Sequence, residues 1–370
     1  RKATENSTTM TSQASISLCT ILLAYLAPND AIAFATGSAG AARAIHKVPV
    51  ANRNDWQPGV EIELPNLELL FDRVSMASPL ARLVMEGNSA AGGFDAIDDD
   101  VEHPELKWKR MEGDKRRTVH RIDKADRFQN VKTPLLRFRS SIKGPCIGER
   151  FSHMIMDLEE RKKWDDQVAN VHELYPIEDL DAVNALLGDP DKYGTCTRVG
   201  VGYTQTKQGI ISPREQLTLG GMQRYDGGAT ILWGTEMEEY HDHLLPDGRR
   251  HTRAKSHLFA ATLAPTGPDS FDVEYLLQMD VGGGVPHFLT TPALTDAVKK
   301  LFEHAKAYFE GGDGSELDLY LKSRQRQVEY SKVEILSGED DYLLDAEIDL
   351  SEIHSQHHAM NDRESLLFTP

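Results

Sequence analysis

Between Phe271 and Phe309 the chain reads as a strand, a glycine–proline hinge and a long amphipathic helix, in that order. Phe271, Val273, Tyr275 and Leu277 alternate with Asp272, Glu274, Leu276 and Gln278, which is the period of a half-buried strand. Gly282, Gly283, Gly284 and Pro286 then break regular structure. Thr291 is placed to cap a helix with Pro292 in its first turn. Leu294, Val298, Leu301, Phe302, Ala305 and Phe309 follow at helical spacing, and Gly311 and Gly312 supply the stop. An apolar helix on a flexible hinge, folded over a curved sheet, is a way to cover an apolar cavity. The ligand such a cavity implies is a lipid or another hydrophobe.

The chain has 370 residues and a net charge of −17, which excludes a general nucleic-acid binder and argues against non-specific attraction to anionic membranes. The charge is uneven. Residues 104–150 hold 14 Lys and Arg against 6 Asp and Glu, a net of +8, whereas residues 311–370 hold 5 against 14, a net of −9. The basic block reads as a solvated, strand-rich face, with phosphate headgroups as the alternative facing it. Cys19, Cys146 and Cys196 are far apart and form no CxxC pair, so no zinc knuckle or redox motif is expected. His241-Asp242-His243 places two imidazoles on one strand face without a visible third ligand, and its place before a turn favours exposed polar surface. There is no GxSxG, P-loop or HExxH, and Gly200-Val201-Gly202 lacks the third glycine of a dinucleotide fingerprint. No cofactor and no metal are expected.

Residues 1–55 read as a targeting segment. Ile16 to Ala27 is an apolar run with the length of a signal-peptide core, and Ala31-Ile32-Ala33 is a small-x-small cleavage pattern. Phe34 follows, and after it a basic stretch free of acidic residues until Asp55. This arrangement resembles the two-part plastid address of diatoms and related algae, so a plastid location is expected, with the secretory pathway or the cytoplasm as alternatives.

Residues 56–103 read as an N-terminal helix, Pro65–Glu86, followed by a small, acidic linker. Short strands are expected between Trp108 and Ile142, a helix from Ile147 to Val168 and another from Leu180 to Leu187. Strands then follow at Thr195–Thr204, with Val199, Val201 and Tyr203 on one face, at Glu215–Met222 and at Ala229–Tyr240. Gln205–Pro213 reads as a loop, and Pro246-Asp247-Gly248 as a hairpin turn. Residues 313–370 are acidic and weakly periodic, and read as mostly disordered. The order of elements is that of an α+β domain.

Three ordered signatures within residues 104–312 carry a resemblance. Glu159-Glu160-Arg161-Lys162-Lys163-Trp164-Asp165, Ile211-Ser212-Pro213-Arg214-Glu215 and Met279-Asp280-Val281-Gly282-Gly283-Gly284-Val285-Pro286 resemble elements of the START domain, the lipid-transfer domain related to steroidogenic acute regulatory protein. The resemblance implies a helix-grip fold, a curved antiparallel sheet around a long C-terminal helix. It also implies a monomer that holds one lipid in an internal tunnel and shuttles it through transient membrane contact, without catalysis. Trp164 then stands at the tunnel mouth or anchors helix to sheet, and Arg214 contacts a headgroup or pairs with Glu215. The expected lining includes Val199, Val201 and Tyr203 together with Trp233, Met237, Phe259, Tyr275, Leu277, Phe288, Leu294, Val298 and Phe302, and Gly282–Gly284 with Pro286 form a gating hinge. Many members of the family place a buried acid and base in the tunnel. The matching positions fall near Val201 and Gly220, where neither charge occurs. That points to an apolar or differently anchored ligand. Two alternatives stay open: an enzyme on the same scaffold, using His257, His287 or Tyr275 on a hydrophobic substrate, and a lipid-sensing module whose acidic tail recruits a partner.

Overall fold

In a computed structural model of the chain, the described residues are 46–49, 61–87, 93–97, 106, 108–114, 117–122, 133–207, 212–237, 241, 244–245 and 251–311. Their strands are β1 (His46–Pro49), β2 (Glu61–Leu64), β3 (Lys109–Asp114), β4 (Arg117–Ile122), β5 (Leu135–Lys143), β6 (Val168–Pro176), β7 (Thr195–Thr206), β8 (Arg214–Arg224), β9 (Thr230–Glu236), β10 (Thr252–Arg253), β11 (Lys255–Gly267) and β12 (Ser270–Asp280). Their helices are α1 (Leu67–Ala77), α2 (Pro79–Met85), α3 (Gly148–Met156), α4 (Leu158–Lys162), α5 (Leu180–Leu187), α6 (Pro190–Tyr193) and α7 (His287–Gly311). The expected turn at 246–248, the acidic tail and all of the targeting segment except His46–Pro49, which forms β1 and pairs with β2, lie outside the described residues, as do parts of the expected loop at 205–213 and of the linker.

The main sheet runs β3-β4-β5-β12-β11-β9-β8-β7-β6 with antiparallel neighbours, and β10 adds a short parallel pairing to β8. The strands expected on either side of 246–248 are β9 and β11, paired from Thr230↔Leu263 to Phe259↔Gly234. Helices cover both faces. On the inner face α7 and α3 bury Phe151, Met154, Val298, Leu301, Phe302 and Phe309 against Phe138, Phe271, Val273 and Tyr275. On the outer face α1, α2 and α5 bury Leu70, Phe71, Leu80 and Val183 against Val199, Leu217, Ile231 and Trp233. This is the α+β helix-grip architecture, with a second helical layer on the back of the sheet.

Two long helices read from periodicity are each broken in two, for local reasons. Ser78 precedes Pro79 and is held extended (φ −117°, ψ 105°), the conformation a proline imposes on the residue before it. Its hydroxyl accepts the Ala81 N–H at 2.9 Å, so one residue closes α1 and caps α2. Asp157 does the same between α3 and α4, accepting the Glu160 N–H at 2.9 Å, and the expected helical stretch ends well before Val168, which opens β6. Helix α7 begins at His287, ahead of the expected cap at Thr291. The Pro286 carbonyl accepts from Leu289 and Thr290, and Pro292 is absorbed inside the helix.

The strand β12 is buried on both faces, where its alternation suggests one wet side. Asp272 and Glu274 face the back layer and are paired there. Asp272 accepts the Phe94 N–H and the Ser141 hydroxyl, both at 2.6 Å. Glu274 accepts Arg139 Nε at 2.6 Å, Leu80 N–H at 3.1 Å and the Ser78 hydroxyl.

Candidate functional site

The inner face of the sheet and the first half of α7 enclose a cavity of about 280 Å³. Strand register orders its wall into rows. Arg198 pairs with Met222, Gly200 with Gly220, Gly202 with Thr218, Thr204 with Gln216, and Thr206 with Arg214. Eight residue steps at about 3.3 Å make this wall roughly 26 Å long, the scale of an extended acyl chain. Leu289, Ala293, Leu294, Ala297, Val298 and Leu301 of α7 form the opposing wall, and Phe259, Tyr275, Leu277 and Met279 close the side.

Of the residues read from sequence, Trp164, Arg214, Trp233, Phe259, Tyr275, Leu277, Leu294 and Val298 border the cavity. Trp164 also anchors its helix, since its indole N–H donates to the Met154 carbonyl at 3.2 Å and Arg161 stacks over the ring at 4.9 Å. The Trp233 indole points the other way, packed edge-on to Phe71 at 6.0 Å and against the bare Gly221. Val199, Val201, Tyr203 and Met237 are corrected. Val199, Val201 and Tyr203 share a face as expected, but it is the outer one, packed under the back helices, and Met237 belongs to the same core. The reason is that an antiparallel strand covered on both sides has two apolar destinations, and alternation does not say which one holds a ligand. Phe302 lies behind the wall, its ring 6.2 Å from Tyr275. Phe288 is corrected too: it is 65% exposed at the start of α7, beside Leu289 at 46%. His257 and His287 do not border the cavity, and His257 is held by Glu236 at 2.7 Å. His241 is only 4% exposed rather than on polar surface, and it accepts the Glu63 N–H at 3.5 Å. Asp242 and His243 lie outside the described residues.

A largely buried acid–base pair, Glu173 with Arg198, borders the cavity. Arg198 borders the cavity, donates from Nη2 to Glu173 Oε2 at 3.2 Å and from Nη1 to the Ser152 hydroxyl at 3.0 Å. Gly200 makes this possible, because a Cβ there would lie 2.6 Å from Glu173 Oε1. The pair is not evident from the sequence; its signal is the one charged residue of β7, Arg198, in phase with Gly200 and Gly202.

At the other end, Gly282, Gly283 and Gly284 all have left-handed backbone, with φ of 70°, 68° and 68°. An L side chain there is strained by about 1–2 kcal/mol per residue. Arg214, its pKa drawn down by burial, ties the neighbouring segments together: Nε donates to the Val281 carbonyl at 2.7 Å and Nη1 to that of Ser212. A Cβ on Gly283 would sit 3.1 Å from Arg214 Nη2.

No family model matches the chain, and no curated protein matches it. Among solved structures it is similar to human STARD10, with 19% identity and a TM-score of 0.41 over 58% of this chain and 82% of that one. It is similar to human StAR-related lipid transfer protein 5, with 15% identity and a TM-score of 0.44 over 66% and 98%. A STAR-related lipid transfer protein fragment from Xanthomonas axonopodis shares 15% identity at a TM-score of 0.40 over 55% and 98%.

Proposed function

We propose that this protein binds one lipid-sized hydrophobic molecule in the cavity between sheet and α7 and carries it between membranes or presents it there. The observation that carries the reading is the cavity itself, largely apolar along α7 and β12 and reaching Val281 and Leu289, on either side of the triple-glycine turn. Burial of apolar ligand surface at roughly 25 cal/mol per Å² supplies the driving force. On this reading the protein acts as a monomer, and the N-terminal address delivers it to a plastid. The test is native mass spectrometry of the full chain purified from cells, followed by lipid extraction. One hydrophobic molecule per chain is the expected result; a protein that arrives empty and takes up nothing from mixed vesicles sinks the reading.

Membrane contact is assigned to the tip of α7. Residues 281–295 contain no Asp, Glu, Lys or Arg in a chain that is 27% charged, and Phe288 and Leu289 are exposed within them. Burying a Phe is worth about 1.5–3 kcal/mol. Phe288→Ser is therefore expected to slow transfer between neutral phosphatidylcholine vesicles about tenfold, with an unchanged melting temperature; equal rates would remove the tip from the mechanism. Gly283→Val tests the hinge. Left-handed strain and crowding of Arg214 are expected to cost about 1–3 kcal/mol of stability and to slow vesicle-to-vesicle transfer more than they weaken equilibrium binding. A variant that binds and transfers as the wild type does would show that the turn has no gating role.

A further inference from the structure

Tyr275 and Arg198 lie on one register row, with three apolar residues between them. Tyr275 pairs with Ala261, Ala261 with Leu232, Leu232 with Met222 and Met222 with Arg198. Tyr275 and Arg198 carry the polar groups of this row that border the cavity. Tyr275 is 9% exposed, and its ring is fixed by Phe259 at 5.2 Å, Phe302 at 6.2 Å and Phe138 at 6.3 Å. Its hydroxyl has no hydrogen-bond partner among the described residues. A hydroxyl on the wall of an apolar cavity loses its partner when a ligand displaces water, so this one favours a ligand that brings an oxygen or nitrogen of its own.

The charges around it limit what that group can be. Arg161 and Asp165 border the same cavity and neutralise each other at 3.1 Å, as Arg198 and Glu173 do at 3.2 Å. A charged ligand end beside Tyr275 would lose its water next to pairs that already sum to zero; the remaining cation of the wall, Arg214, stands in the Thr206 row and donates to the Val281 and Ser212 carbonyls. A neutral oxygen meets no such penalty. The phenol keeps its proton at any physiological pH: burial, with Arg161 opposing and Asp165 assisting, pushes it up to about 12.

We propose that the Tyr275 hydroxyl donates a hydrogen bond to a neutral oxygen, an alcohol or carbonyl, on the buried end of the ligand. The protein then selects oxygen-bearing neutral lipids over plain hydrocarbons and over fatty anions. This rests on the lipid-carrier reading and specifies the ligand class for the same cavity.

The experiment uses the full chain and phosphatidylcholine vesicles doped with equal amounts of hexadecanol, palmitate and hexadecane, with protein-bound lipid quantified by mass spectrometry. Wild type is expected to take up hexadecanol at least tenfold over the other two. Tyr275→Phe keeps the ring and its aromatic contacts, so it is expected to retain hexadecane uptake while the preference falls close to parity. Wild type taking up all three alike, or a preference that survives in Tyr275→Phe, overturns the proposal and leaves the carrier reading standing. Wild type taking up neither the dopants nor phosphatidylcholine overturns the carrier reading and this proposal with it.

Discussion

Glu274→Ala is expected to lower stability by about 3–5 kcal/mol, enough to unfold a large fraction of a marginally stable domain. Glu274 has no exposed surface, and it joins three elements distant in sequence. It accepts Arg139 from β5 at 2.6 Å, lies 3.8 Å from Arg137, and caps α2 through the Leu80 N–H and the Ser78 hydroxyl. Removing the carboxylate takes one counter-charge from two buried guanidiniums and frees the helix start. Glu274→Gln keeps the shape and part of the hydrogen bonding, so it is expected to fall between wild type and Ala. Urea unfolding of the three proteins measures this. A loss below about 1 kcal/mol for Ala would mean that the network is solvated and unimportant.

The same group sets an acid limit. Burial works against its charge, but Arg139, Arg137 and the Ser78 hydroxyl outweigh that, and the carboxyl is held below its ordinary value. A folded-state pKa below the unfolded one contributes stability that is fully present above the unfolded value of about 4.3. That contribution is lost as pH falls through the folded value. Wild type is therefore expected to lose stability steeply below about pH 4, and Glu274→Gln to show a shallower slope over the same interval.

Sequence periodicity located β12, the glycine turn and α7 because each rests on local chemistry: alternation, glycine and proline, and the helical apolar stripe. Its failures share one physical origin. The back of the sheet is covered by α1 and α2, so a strand's apolar side is not necessarily the ligand side. On β7 the solid core took Val199, Val201 and Tyr203, while the cavity received Arg198, Gly200, Gly202, Thr204 and Thr206. A wall that meets a ligand need not be apolar residue by residue, because the ligand brings apolar surface of its own. On β12 the polar phase proved buried for the complementary reason: Arg137 and Arg139 on β5 were available to pair with it, and cross-strand register is not written in either strand alone. The Glu173–Arg198 pair was hidden in the same way, since it joins β6 to β7 and depends on the gap left at Gly200.

Ala297→Trp is expected to abolish stoichiometric lipid binding while changing stability by less than about 1.5 kcal/mol. Ala297 borders the cavity from α7, and the sheet side of the same cavity includes the row Gly200, Gly220 and Gly234, which has no side chains. The glycines leave room for a ligand, and the same room accepts an indole. Overpacking is destabilising when it forces a filled core apart, but here the added ring enters space of about 280 Å³ that is already open. The variant is thus predicted to separate folding from binding: native melting behaviour with no co-purifying hydrophobic molecule. If Ala297→Trp still carries one lipid per chain, the ligand lies elsewhere and the cavity is a packing defect of the grip. If it fails to fold, Leu294→Trp provides an independent plug one turn earlier, and a folded, empty Leu294→Trp protein would return the binding site to this cavity.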